Sequence, residues 1–84
     1  MITDKLIQVL RCPETRQTVS LLDSGRLIQV NEAIETGTIT NRSGQPIGGA
    51  LEAALVRQDG KYAYPVREGI PVLLIDEGIS LEAL

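Results

Sequence analysis

Apolar residues recur at helical spacing in two stretches of this chain. In three others they alternate or run together. The first helical stretch centres on Asp4-Lys5-Leu6-Ile7-Gln8-Val9-Leu10, and with the preceding Ile2 the residues Leu6, Val9 and Leu10 share one face. Thr3 stands where a side-chain oxygen can accept from the free N–H groups of the first turn, and Asp4 suits the positive end of the helix dipole. The pattern predicts a short helix over about 3–10, ended by Pro13. The second stretch places Leu27, Val30 and Ile34 on one face and predicts a helix over about 25–36, with Gly37 as its stop.

Thr18-Val19-Ser20-Leu21-Leu22 predicts a short strand closed by the turn Asp23-Ser24-Gly25. Leu51 to Arg57 is ambiguous, because Ala53 and Ala54 favour helix. The run is short, however, and Asp59-Gly60 follows as a hairpin turn, so two strands are predicted, about 51–57 and 61–66. Ile70-Pro71-Val72-Leu73-Leu74-Ile75 is a continuous apolar run between Gly69 and Asp76. Such a run predicts a strand covered on both faces, with Pro71 at its start or on an edge because proline cannot donate to a ladder. Asn41 to Gly49 is rich in turn formers and reads as loop, and Asp76 to Leu84 as a short helix or a frayed end. The sum is an α+β domain, a small antiparallel β-sheet with two helices.

Composition narrows the class. The chain has 84 residues, enough for one domain, and no internal repeat or second domain is visible. With no Trp and no Phe, and Tyr62 and Tyr64 as the only aromatics, the core is expected to be aliphatic. A domain of this size buries only roughly 60% of its unfolded surface, so a disulfide, a metal or a partner often supports such folds. Cys12 is the only cysteine and there is no histidine, which excludes an intrachain disulfide. Structural zinc wants about four Cys or His ligands, and the chain offers one. A partner or self-association remains as support, although domains of this size also fold alone. The net charge of −3 is spread along the chain with no basic run, which argues against direct nucleic-acid binding. No apolar stretch approaches the ~20 residues of a membrane span, and no signal-peptide pattern is present. A lone thiol fits a reducing compartment, so the cytoplasm is expected.

Catalytic constellations are sparse. Without histidine the usual general base near neutral pH is gone, and nothing of that type can activate Cys12 as a nucleophile. The plainer reading of Cys12 is a small buried residue. Asp76 and Glu77 could bind a cation, but two adjacent carboxylates do not make a site, and a solvated helix start is the plainer account. Gly44-Gln45-Pro46-Ile47-Gly48-Gly49 lacks the lysine and flanking elements of a phosphate loop. No catalytic residue, metal ligand or cofactor is expected, and the chain is not expected to be an enzyme.

The most specific segment is Tyr64-Pro65-Val66-Arg67-Glu68-Gly69-Ile70-Pro71-Val72-Leu73-Leu74. Pro65 fixes the approach, Gly69 is free to take positive φ in the turn, and Pro71 starts the last strand. One reading is a well-specified turn and nothing more. The other is a rigid, solvent-facing loop that offers a bidentate cation, Arg67, to a partner.

This segment resembles the C-terminal hallmark of the Trm112-like family, Tyr-Pro-(Ile/Val)-Arg-(Asp/Glu)-Gly-Ile-Pro-(Val/Met)-Leu. That family includes short bacterial proteins of uncharacterised role. The N-terminal Leu10-Arg11-Cys12-Pro13 agrees with it, and the resemblance covers about 2–22 and 50–77. Many members carry Cys-Pro-x-Cys near the start and Cys-x-x-Cys before the Tyr-Pro element, together forming a zinc site. Here the first pair reads Cys12-Pro13-Glu14-Thr15 and the second falls on Arg57 and Gly60, so three of the four ligands are missing. The chain is similar to a metal-free branch, with Arg57-Gln58-Asp59-Gly60 as a hairpin turn where the zinc knuckle would be. The region about 24–49 resembles the helical insert of longer members.

The best-known members have no catalysis of their own. They bind methyltransferases that act on tRNA, rRNA or translation factors, adding a strand to the enzyme's sheet and covering an apolar surface. The resemblance therefore implies a non-catalytic protein-binding module, a stabilising or activating partner of a methyltransferase or other enzyme. The alternative is a self-associating accessory protein unrelated to methylation. The expected contact surface is Arg67, Glu68, Ile70 and the run Val72, Leu73, Leu74, Ile75. Cys12, Pro13, Tyr64, Pro65, Gly69 and Pro71 form the supporting motif.

Overall fold

The computed structural model describes residues 4–82. Its centre is a hairpin made by one turn. Gly60 takes φ 74°, a left-handed value that glycine adopts without a side-chain clash, and its N–H returns to the carbonyl of Arg57. β2 (Ala53–Arg57) and β3 (Tyr62–Arg67) therefore run antiparallel, with Leu55 opposite Tyr64 and Ala54 opposite Pro65. Ala53 and Ala54 sit in a strand despite their helical preference, because the ladder and the packing around Ala54 outweigh a propensity of less than about 1 kcal/mol. β1 (Val19–Leu21) pairs with β2, placing Val19 opposite Arg57.

The chain leaves β3 through a second tight turn. Glu68 and Gly69 both hold positive φ, 54° and 75°, and set Arg67 opposite Ile70 in β4 (Ile70–Pro71). The expected strand over Ile70 to Ile75 stops there. Pro71 offers no N–H to a ladder, and beyond it the Val72 N–H returns to β3, on the Pro65 carbonyl. Val72 to Leu74 are irregular, and Ile75–Glu77 form a single 3-10 turn. Nor is the run covered on both faces: Ile70, Leu74 and Ile75 are exposed. The end is neither a helix nor frayed through residue 82. β5 (Ile79–Ser80) pairs with the start of β3, and Ile79 and Leu81 are buried, a period-two pattern that reads as strand.

The helices cover opposite faces of the sheet. α1 (Asp4–Val9) ends before Pro13, as expected, and Arg11 folds back to donate to the carbonyls of Gln8 and Leu10 beyond its last turn. The helix docks through Ile7 and Leu10 onto Val19, Leu55 and Val66, so Leu6 and Val9 face outward instead of inward. Ile2 and Thr3 lie outside the described residues. α2 (Ser24–Thr36) lays Val30 and Ala33 against Ala54, Ala63 and Ile79, flanked by Leu27 and Ile34. The expected turn Asp23-Ser24-Gly25 is in fact the start of this helix. Asp23 accepts from the Arg26 N–H at 2.8 Å and satisfies a free first-turn donor. Gly37 closes the helix at φ 73°, as its position predicts.

The described residues are thus α+β, a five-stranded antiparallel sheet with two α-helices. The buried residues are not purely aliphatic: Tyr64 is fully buried. None of the described helices is long and apolar enough to cross a membrane.

Candidate functional site

Side chains alternate across a strand, so Arg57, Leu55 and Ala53 of β2 share a face with Tyr62, Tyr64 and Val66 of β3. This is the α1 face. Where α1 ends, the chain crosses that face, and the Arg11–Thr18 bridge with the Cys12 N–H on the Gln17 carbonyl brings Cys12 down onto it. Cys12 is 1% exposed, its Sγ 3.1 Å from the Tyr64 hydroxyl and 4.0 Å from Arg57 Nη1. The buried phenol thus finds the partner it needs.

Arg57 is the buried charge among the described residues, at 6% exposure. Its Nε donates to Asp59 at 2.8 Å and its Nη1 to Glu14 at 3.0 Å, both charge-assisted bonds that offset the cost of burial. Glu14 also takes Arg42 Nη1 at 2.6 Å. Arg42 and Arg57 each lie over the Tyr62 ring, 4.8 Å from its centroid. Asp59 is fixed further by Gln17: the Asp59 N–H donates to Gln17 Oε1 at 2.9 Å, and Gln17 Nε2 donates to Asp59 Oδ2 at 3.1 Å. The cluster therefore ties the turn after α1, the β2–β3 hairpin and the loop after α2 together through Glu14, which takes the guanidiniums of both Arg57 and Arg42.

These contacts shift the titrating groups. Burial pushes the Cys12 thiol up, but hydrogen bonds from the Thr15 and Tyr64 hydroxyls and from the Thr15 and Glu14 backbone outweigh it and bring the thiol down to about 7. Burial and the bond to Cys12 push the Tyr64 phenol above its ordinary range. The Arg57 guanidinium and the Lys61 N–H hold Asp59 well below the usual carboxylate range, and Arg42 and Arg57 lower Glu14. Among the described residues, no three His, Cys, Asp or Glu side chains stand together as a group that could hold a metal.

The sequence pointed to Cys12, Pro13, Tyr64, Pro65, Gly69 and Pro71 as supporting residues, and the structure brings Cys12 and Tyr64 into contact. It missed Arg57, Glu14 and Arg42 as members of the same cluster. The alternation Arg57-x-Asp59 at a hairpin turn was the available signal, but charge so near a turn ordinarily means solvent exposure.

The expected contact surface is split. Arg67 and Glu68 lie at the β3–β4 turn, which Glu52 braces by accepting the Gly69 N–H at 3.0 Å. Arg67 makes no ion pair among the described residues. Ile70 is 64% exposed and Leu74 60%, with Ile75 beside Leu74. Leu73 instead is partly buried, packed against the core cluster of Ile7, Val19, Leu55 and Val66, and Val72 is half-buried.

Comparison with known proteins gives names that state no activity. No protein-family model matches the chain. A UPF0434 protein of Ehrlichia ruminantium strain Gardel is 32% identical over 82 residues, 98% of this chain and 100% of the relative. Its counterpart in strain Welgevonden is identical to this chain to the same degree over the same span. The solution NMR structure of XF2673 from Xylella fastidiosa matches with a TM-score of 0.75 and 38% identity, covering 94% of this chain and 81% of that one. With the likeness running the length of the Ehrlichia relatives, and a solved fold agreeing at comparable identity, the chain belongs to the UPF0434 family.

Proposed function

We propose that this chain is a non-catalytic protein-binding module that stabilises or activates an enzyme, with a methyltransferase as the first partner to test. In this reading residues 1–84 form a single Trm112-like domain of the metal-free branch, with the region about 24–49 as its insert. It acts in the cytoplasm and binds neither nucleic acid nor membrane directly.

The observation that carries the reading is the exposure of three large apolar side chains, Ile70, Leu74 and Ile75, that follow a turn presenting Arg67 without an ion pair among the described residues. Large apolar side chains left in water are what a partner can cover, and a guanidinium outside any ion pair is what it can pair. Support for the metal-free branch comes from Arg57, which stands at one of the positions where the family resemblance places a zinc cysteine. Its cation sits over the Cys12 sulfur and links the two turns that a metal would otherwise link. A lone thiol beside a guanidinium is not a zinc donor set.

Purification of the tagged full chain from its native host tests the reading. A methyltransferase or another enzyme recovered in stoichiometric amount supports it. Recovery of self-oligomers alone favours the second reading, a self-associating accessory protein. The outer edge of β1, which no strand pairs beyond Val19 among the described residues, lends itself to that.

A further inference from the structure

We draw no further inference here: the strongest candidate, the groove between α1 and the outer edge of β1 lined by Ile7, Gln8, Val19 and Leu21, is an unpartnered apolar face, and nothing in the structure shows what covers it.

Discussion

Arg57 is a buried charge whose counterions remain wetted. Glu14 and Asp59 keep solvent on one side, so removing the guanidinium strands neither of them in the interior. It does remove two charge-assisted bonds, one face of the Tyr62 stack and the packing of the stem. Arg57→Met is expected to lower stability by ~1–3 kcal/mol, and Arg57→Lys by nearly as much, because an ammonium cannot reach both carboxylates from one plane. Chemical denaturation of the three proteins measures this, and an Arg57→Met protein as stable as the parent would show the cluster to be ornament. Cys12 adds a pH dependence. Its folded value of about 7 lies below the ordinary thiol value of about 8.5, so the thiolate form favours folding. That contribution is complete above about 8.5 and is lost as pH falls through 7. Thiolate absorbance read against Cys12→Ser should rise with a midpoint near 7, and the Tyr64 phenol, raised by burial and its bond to Cys12, does not titrate in that window. A midpoint at or above 8.5 would mean that burial wins over the hydrogen bonds. Cys12→Ala, which removes the buried sulfur and with it the Tyr64 partner, should cost at most ~1–2 kcal/mol and leave partner binding intact.

At the level of elements, the β3–β4 turn stores strain. Two successive left-handed residues make a turn that favours Asn-Gly, and here the first position is Glu68 at φ 54°. Glu68→Asn is expected to raise stability by ~0.5–1 kcal/mol, seen as a melting temperature higher by several degrees for a chain of this length. An unchanged or lower melting temperature would show that Glu68 makes a compensating contact. Arg67→Ala tests the same turn from the other side. If the turn meets a partner, the change weakens association by ~1–3 kcal/mol while the free protein melts as before. If affinity holds, Arg67 is a solvated cation and the contact lies elsewhere. α2 rests on its caps: Asp23→Ala should cost ~1 kcal/mol and Asp23→Ser little, since serine can accept the same Arg26 N–H.

At the scale of the whole molecule, the absence of metal is a measurable claim. Elemental analysis of the purified chain should find no stoichiometric zinc, and a chelator should leave the unfolding curve unmoved. About one zinc per chain with chelator-induced unfolding would overturn the metal-free reading. Acid behaviour follows from the same cluster. Glu14 and Asp59 have folded values below their ordinary ones, so their contribution is present near neutrality and is lost as pH falls below about 4. Glu14→Gln and Asp59→Asn should each flatten the fall of stability with acid.

What was legible in the sequence was local. Gly37 ended a helix, Asp59-Gly60 turned a hairpin, and the spacing of Leu27, Val30 and Ile34 named the face of α2, because each rests on neighbours within one turn of backbone. The errors came where distant residues competed. Asp23 reads equally as a turn and as a cap until the sheet shows where the helix must begin. The run Ile70 to Ile75 looks like a buried strand, but the ladder with β3 holds only Ile70 and Pro71, Val72 adds one bond to Pro65, and β5 takes the start of β3. Leu6 and Ile7 differ by one position on a six-residue helix, and only the shape of the sheet decides which docks. The cluster at Cys12 was hidden for the same reason. Its members are separated by up to 52 residues, as Cys12 and Tyr64 are. Strand register, which no local pattern contains, is what turns an arginine beside a hairpin into a buried cation over a sulfur.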